Sequence, residues 1–128
     1  MATYKQASPQ ASRPELAPNG EYRARVAGAE EKVTGKGDAM IELKLDIEMP
    51  DGSKGPFVYD NLIFTEACGW KIDQFRASIG ETVTPGEEID VNPDDLIDAH
   101  TVVRLGNETY NGKKKNRVQG YVVPKDPF

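Results

Sequence analysis

Cysteine and histidine are almost absent from the sequence, which contains one of each, Cys68 and His100. A single cysteine cannot form an internal disulfide, and one cysteine with one histidine cannot complete the cage of a structural zinc site. A chain of 128 residues is nevertheless long enough to bury a hydrophobic core without a disulfide or a structural metal. We therefore expect one domain from a reducing compartment, with neither metal nor cofactor.

Long apolar runs and a net positive charge are also missing. No segment approaches the roughly 20 apolar residues that span a bilayer, and the N-terminus lacks the charged-then-apolar order of a signal peptide. These absences predict a soluble, cytoplasmic protein. The formal net charge of −5 argues against a uniformly basic surface, because phosphate binding needs concentrated Lys and Arg. Any nucleic-acid site must then be a local patch.

Catalytic motifs are absent as well. His100 has no Ser or Cys partner in a nucleophile motif, and Gly35-Lys36-Gly37 lacks the Lys-Ser or Lys-Thr of a P-loop. The carboxylates between residues 81 and 98 match no calcium-loop spacing, so we interpret them as a solvated acidic face. The chain is predicted not to be an enzyme.

Composition divides the chain into three parts. Residues 1–19 hold three prolines among Ala, Ser and Gln, with few large apolar side chains to offset the entropy of ordering. We predict a flexible N-terminal arm over 1–19, a folded domain over 20–123 and a short tail over 124–128.

Strands are indicated by alternating apolar and polar residues. The longest run covers eleven positions from Ala39 to Met49, which suits a strand with one wet face. Asp51-Gly52 and Asn111-Gly112 are typical turn signals between strands. The pattern predicts one strand beginning at Gly20 and four others at about 39–49, 55–64, 100–110 and 113–123.

A helix is expected between the third and fourth strands. Thr65 is a suitable N-cap, Gly80 follows the last apolar residue, and Asn92-Pro93 opens a further helical turn. The order β-β-β-α-β-β is that of the OB-fold, a five-stranded, partly open barrel. The predicted fold class is all-β with one helix, an OB-type barrel, and a sandwich or another small α+β sheet is the alternative.

The sequence does not decide which face of the third strand is buried. Phe57 and Tyr59 share one face, and Val58, Asp60 and Leu62 share the other. Burying Asp60 is costly without a partner, which favours Phe57 and Tyr59 inside. The apolar residues that flank Asp60 favour the reverse, so both arrangements stay open.

Cations and aromatic rings are concentrated where OB-folds bind oligonucleotides. Single-strand binding needs charge for the backbone and flat rings for the bases. Strand alternation points Arg23 and Arg25 outward, and it points Arg117 and Tyr121 outward if Val118 and Val122 are buried. The lysine run at 113–115 also fits a solvated hairpin tip. The candidate nucleic-acid-binding residues are Arg23, Arg25, Lys36, Lys44, Tyr59, Tyr110, Lys113, Lys114, Lys115, Arg117 and Tyr121.

Trp70 lies opposite the apolar stripe of the predicted helix. Packing beneath the N-terminal arm or the acidic connection is one interpretation, and a partner-binding surface is the other. The alternative function is therefore a non-enzymatic module that binds another protein through Trp70 or the acidic face.

Several short motifs carry a resemblance to a known family. They are Pro18-Asn19-Gly20-Glu21-Tyr22, Gly37-Asp38-Ala39-Met40-Ile41, Trp70-Lys71, Tyr110-Asn111-Gly112-Lys113 and Asn116-Arg117-Val118. The chain resembles a family of small bacteriophage and prophage proteins of unknown function, encoded among replication and recombination genes. The resemblance implies an OB-fold that binds single-stranded DNA. At the start of the fourth strand, where a Gly is expected, the chain has Asp98-Ala99.

A second resemblance concerns the end of the sequence. Asp126-Pro127-Phe128 is similar to the acidic tip, closing in Pro-Phe, by which bacterial single-stranded-DNA-binding proteins recruit other replication and repair proteins. It implies that Phe128 is a ligand for replication or recombination proteins. The sequence, with these resemblances, predicts a phage single-stranded-DNA-binding protein, with a module that binds a host or phage protein as the alternative, and it leaves the oligomeric state open.

Overall fold

The computed structural model describes residues 2, 13–84, 86 and 90–124. These residues form one five-stranded antiparallel sheet in the order β3-β2-β1-β4-β5. The strands are β1 (Gly20–Val33), β2 (Ala39–Glu48), β3 (Lys54–Ile63), β4 (His100–Tyr110) and β5 (Lys113–Val122). The sheet is curled but not closed, since β3 and β5 are its edges. The prediction of a mostly β protein with one main helix is confirmed.

β1 is much longer than its alternating pattern suggested. The register against β2 shifts between Val26 and Gly28, and the strand then continues to Val33. A bulge moves later side chains to the opposite face relative to a strict two-residue period. The alternation in the sequence therefore stops at Val26, although the strand does not.

Both predicted turns are present. Asn111 and Gly112 have φ angles of 51° and 76°, so the β4–β5 connection is a two-residue turn with both central residues left-handed. Gly52, at φ 85°, donates its N–H to the Met49 carbonyl and turns β2 into β3.

The helical segment begins later than predicted. A 3₁₀ turn at Glu66–Cys68 precedes helix α1 (Gly69–Ser78), and the Thr65 side chain makes no capping hydrogen bond. Gly80, at φ 94°, ends the helix as predicted, because its N–H and that of the next residue bond back to carbonyls of the last turn.

A one-turn helix α2 (Pro93–Leu96) leads into β4, and the Asn92 side chain caps it by accepting from the Asp94 N–H. Asp98 follows with φ 69°, a left-handed conformation that favours glycine. This is the position where the family resemblance implied a glycine. Asp98 tolerates the conformation and in addition accepts a 2.6 Å hydrogen bond from Arg25.

The core lies between the inner face of the sheet and α1. Ile72 and Phe75 on α1 are buried against it, and Phe75 contacts Tyr121 edge to face with ring centroids 5.0 Å apart. The buried strand residues are Tyr22, Ala24, Val26, Ile41, Leu43, Leu45, Ile47, Val58, Leu62, Val103, Leu105, Val118 and Tyr121. No helix in the described part of the chain is long and apolar enough to cross a membrane.

The open side of the sheet is bridged by side chains. Cα atoms of β3 and β5 come within 8 Å of each other, and the Tyr121 hydroxyl donates to the Asp60 carboxylate at 2.6 Å. Lys71 on α1 forms an ion pair with the same carboxylate. These partners offset the cost of the inward position of Asp60, so Val58, Asp60 and Leu62 face inward. Phe57 and Tyr59 face outward, which decides the question that the sequence left open.

Tyr121 does not face outward, so that prediction is wrong. Arg104 pairs with Gly120 and Leu105 pairs with Val118, which leaves Gln119 as an extra residue in β5. This bulge places Val118 and Tyr121 on the same inner face although they are three residues apart. Burial, followed by the charge and the hydrogen bond of Asp60, raises the pKa of Tyr121 well above its usual value.

The last part of the predicted flexible arm belongs to the folded domain. Ala17 is 1% exposed, and its N–H and carbonyl both bond to the Asn116 side chain at 2.9 Å. The Tyr22 hydroxyl donates to the Pro18 carbonyl. Arg13, Ala17 and Pro18 are therefore hydrogen-bonded to the folded domain, within the segment that the sequence predicts as an arm.

Candidate nucleic-acid interface

The outer faces of β2 and β3 carry two exposed aromatic rings beside cationic side chains. Phe57 and Tyr59 on β3 are 40% and 59% exposed. Two residues along a strand separate them by about 7 Å. Tyr59 pairs in register with Lys44 and Phe57 with Asp46. We call the surface formed by Arg13, Lys44, Phe57 and Tyr59 the aromatic face.

Two cations contact the Phe57 ring. The guanidinium carbon of Arg13 lies 4.0 Å from the ring centroid, and the Lys44 ammonium lies 4.3 Å from it. Arg13 is fixed in place because it also donates to Asp46 at 2.8 Å and to the Gly55 carbonyl at 3.0 Å. Among the described contacts, Lys44 is placed by the Phe57 ring alone.

Three cationic side chains lie around the carboxylate of Asp46 on this face. Its carboxylate is 2.8 Å from Arg13, 3.5 Å from Arg25 and 3.8 Å from Lys54. Burial alone would raise the pKa of Asp46, but the hydrogen bond and charge of Arg13, with the charges of Lys54 and Arg25, hold that pKa below its ordinary value. The carboxylate is therefore ionised at neutral pH and keeps three cations together.

The lowered pKa of Asp46 has a measurable consequence for stability. A group whose folded pKa lies below its unfolded value stabilises the protein above the unfolded pKa of about 3.9 and loses that effect as the pH falls through the folded pKa. Asp46→Asn should therefore be less stable than the wild type at pH 7, and the gap should narrow near pH 3. Urea titrations at both pH values measure this, with Asp73→Asn as an exposed control. An equal gap at both pH values contradicts the assignment.

A second basic patch lies on the β4–β5 hairpin. Pairing of β1 with β4 starts at Gly20 and Leu105, so residues 106–117 extend beyond the central strand. Tyr110 is 63% exposed, and the Lys115 ammonium lies 5.5 Å from its ring centroid. Lys113, Lys115 and Arg117 alternate along one face of β5, which is the face that carries Tyr110 on β4. We call residues 106–117 the basic hairpin.

The remaining predicted residues are distributed around these two patches. Arg23 is exposed on the outer face of β1, whereas Arg25 is half-buried and bound to Asp98 and Asp46. Lys114 is exposed on the opposite face of the basic hairpin, and Lys36 is exposed in the β1–β2 turn, at the far end of β1.

Trp70 is 54% exposed on α1, which favours the interpretation as a surface residue over packing beneath other segments. Phe128 and the other residues of the C-terminal tip lie outside the described part of the chain.

Three residues of the interface were missed from the sequence. Phe57 lies on the same face of β3 as Tyr59. It was not predicted because the sequence did not decide which face of β3 is buried. Lys54 follows the Asp51-Gly52 turn closely and was not among the predicted residues, although it faces Asp46. Arg13 lies in the segment predicted to be flexible, and no local pattern links it to residues 33 positions away. Among the described residues, no three His, Cys, Asp or Glu side chains are placed to hold a metal ion.

The fold and these patches define a small five-stranded β protein with exposed aromatic rings beside clustered cations. Residues 2–127 match the family described as protein of unknown function (DUF669), and since this is nearly the whole chain, the protein belongs to that family. No curated protein matches the sequence. The expected membership in a family of unknown function is therefore confirmed.

Proposed function

We propose that the protein binds single-stranded DNA through the aromatic face and the basic hairpin, as a phage-encoded factor in replication or recombination. The observation that carries the proposal is the pair of exposed rings on β3 with cations in the neighbouring strand. Rings accept stacked bases and cations neutralise the phosphates, which are the two requirements of single-strand binding.

The strand order supports assigning the fold to the OB type. In the order β3-β2-β1-β4-β5, closing β5 onto β3 would complete a five-stranded barrel, and the Tyr121–Asp60 contact lies at that closure. Helix α1 falls between β3 and β4 in the chain and packs against β3, β4 and β5. OB-folds bind oligonucleotides on the face of their second and third strands, where the aromatic face lies.

Energetics favour a base over a cation on the Phe57 ring. An exposed cation–π contact contributes about 0.5–1 kcal/mol, whereas stacking of a base on an aromatic side chain contributes about 1–3 kcal/mol. A base can therefore replace Lys44 on the ring, and the released ammonium becomes available to a phosphate. Arg13, which is fixed by Asp46 and Gly55, would stay in place.

The net charge of −5 is compatible with this site because several acidic residues lie elsewhere, in the connection between α1 and β4, where Glu81, Asp90, Asp94 and Asp95 are exposed. The outer face of β2 is mixed, since Glu42, Asp46 and Glu48 lie beside Lys44, and the basic hairpin carries Glu108 among four cations. Bound DNA would then be confined to one side of the domain.

Titration of a fluorescein-labelled oligo-dT strand tests the proposal. We expect micromolar or tighter binding at low salt. The logarithm of the binding constant should fall linearly with the logarithm of the salt concentration, at a slope of about −0.7 per phosphate contacted. Fluorescence anisotropy at several salt concentrations measures both quantities. Absence of binding at micromolar protein in low salt rejects the proposed function.

Neutralising the basic hairpin should weaken binding through charge alone. A variant in which Lys113, Lys114 and Lys115 are all replaced by Gln should have a lower oligo-dT affinity at low salt. The magnitude of its salt slope should fall by about 1.4, because Lys113 and Lys115 lie on the Tyr110 face and each phosphate that is no longer neutralised accounts for about 0.7. The same anisotropy titration measures it. Lys32→Gln, on a lysine paired with Glu42 away from the hairpin, is the control. An unchanged slope in the triple variant would remove the hairpin from the interface.

The exposure of Trp70 favours a second candidate function, a protein-interaction module. Because the indole is 54% exposed on α1, it could anchor a partner at an interface core. This function predicts that Trp70→Ala abolishes partner capture in a pull-down while the triple lysine variant retains it. If instead the triple lysine variant loses oligo-dT binding and Trp70→Ala retains it, the leading proposal is supported.

A further inference from the structure

A cleft on the outer face of the sheet lies next to the aromatic face. Its volume is about 200 Å³, below the roughly 300–1,000 Å³ of pockets that hold drug-sized ligands. The size suits a single small group rather than a nucleoside. The cleft is lined by Arg23, Ala24, Arg25, Asp46, Ile47, Glu48, Gly52, Ser53, Lys54 and His100.

Two cations of the cleft, Arg25 and Lys54, keep donors for a further acceptor. Asp46 makes its one short contact with Arg13, at 2.8 Å, whereas Arg25 is 3.5 Å and Lys54 is 3.8 Å from the carboxylate. The last distance exceeds a hydrogen bond. Arg25 also donates to Asp98 at 2.6 Å. An ammonium has three N–H donors and a guanidinium five, so Lys54 and Arg25 can bind an anion without leaving these carboxylates.

The cleft is also at the right separation from the stacking rings. Phe57 pairs in register with Asp46, and Asp46 pairs with Arg25 on the next strand. Neighbouring strands lie about 4.8 Å apart, so the backbone of Arg25 is two strand spacings from Phe57, and Lys54 is on β3 itself, three residues from Phe57. The long side chains of these cations can reach the phosphate of a nucleotide whose base stacks on Phe57.

We propose that this cleft is a phosphodiester subsite, in which Lys54, Arg25 and Arg23 bind the backbone phosphate of the nucleotide whose base stacks on Phe57. The proposal rests on the proposed function and specifies its register: the base lies over Phe57 on β3, and its phosphate lies at the end of the sheet where Arg23, Arg25 and Lys54 meet. Asp46 acts as a positioning residue, since it holds Arg13, Arg25 and Lys54 around the subsite.

Chemical-shift mapping on the full chain separates base from phosphate contacts. Thymidine should shift signals around Phe57 and Tyr59, whereas the dinucleotide dTpdT should in addition shift the amides of Ser53 and Lys54 and the Nε–H of Arg25. If dTpdT shifts the same signals as thymidine and leaves the cleft unchanged, the subsite is rejected while DNA binding stands.

Substitution gives an independent readout. Lys54→Gln should lower the oligo-dT affinity roughly two- to fivefold, as for an exposed ion pair, and should reduce the salt slope by about 0.7. Lys54→Arg should retain both values, and Lys32→Gln is the matched control. Wild-type affinity and slope in Lys54→Gln overturn the proposal.

Failure of the proposed function is distinguishable from failure of the subsite. If wild-type protein does not bind oligo-dT, the function is rejected, and the cleft is then titrated with inorganic phosphate. Shifts confined to Ser53, Lys54 and Arg25 would retain an anion site there, and their absence would reject it.

Discussion

Replacing Tyr59 with alanine should lower the affinity for oligo-dT by about 5- to 150-fold, which corresponds to the 1–3 kcal/mol of one base stack. Tyr59 is the more exposed of the two rings on β3, at 59%. Phe57→Ala should have a smaller effect, because a base must first displace Lys44 from that ring. Anisotropy titrations at one fixed salt concentration measure both variants.

An aromatic ring of similar exposure serves as the control. Trp70→Ala removes a ring that is 54% exposed on α1, so it should leave the oligo-dT affinity unchanged. Neither Tyr59→Ala nor Trp70→Ala removes a buried side chain, and both should unfold at the wild-type urea midpoint. An equal fall in affinity in the two variants, or none in Tyr59→Ala, contradicts a stacking role for the aromatic face.

Removing the Asp60 carboxylate should cause the largest loss of stability. Asp60→Ala deprives the Lys71 ammonium and the Tyr121 hydroxyl of their common acceptor, and unpaired buried donors are costly. Because the side chain of Lys71 is 20% exposed, we expect a loss of about 2–4 kcal/mol, less than for a fully buried pair. Urea denaturation followed by circular dichroism measures the change.

Asp73→Ala on the exposed side of α1 is the control, and it should change the free energy of unfolding by less than about 0.5 kcal/mol. Tyr121→Phe should lie between the two variants, because it removes one hydrogen bond to a carboxylate and leaves the Lys71 ion pair intact. If Asp60→Ala matches Asp73→Ala, the bridge between β3 and β5 does not stabilise the open side of the sheet.

Most of the secondary structure could be predicted from local sequence. The bounds of β2, β4 and β5 follow from alternation and from the Asn111-Gly112 turn, and the end of α1 follows from Gly80. These signals are short-range, since they depend on side-chain periodicity and on backbone conformations that favour glycine. The end of β1 was missed because its bulge interrupts the same periodicity.

The interface was predicted less completely because long-range contacts decide it. The outward positions of Arg23 and Arg25, Tyr59 as a candidate and the exposure of Tyr110 follow from sequence reasoning. Tyr121 was misplaced by a bulge at Gln119 that the sequence does not reveal. The position of Arg13 in the interface depends on its hydrogen bond to Asp46, 33 residues away in the chain.

The sequence by itself determined a small, mostly β domain with one helix, two sharp turns and a lysine-rich hairpin, because each of these features depends on neighbouring residues. Only the tertiary structure decided which face of β3 is buried and which rings are exposed. Burial of Asp60 required Lys71 and Tyr121 as partners, and those residues come together only when α1 and β5 pack beside β3. With Asp60 paired, Val58 and Leu62 are buried, and Phe57 and Tyr59 lie on the outer side of β3, where they form the aromatic face.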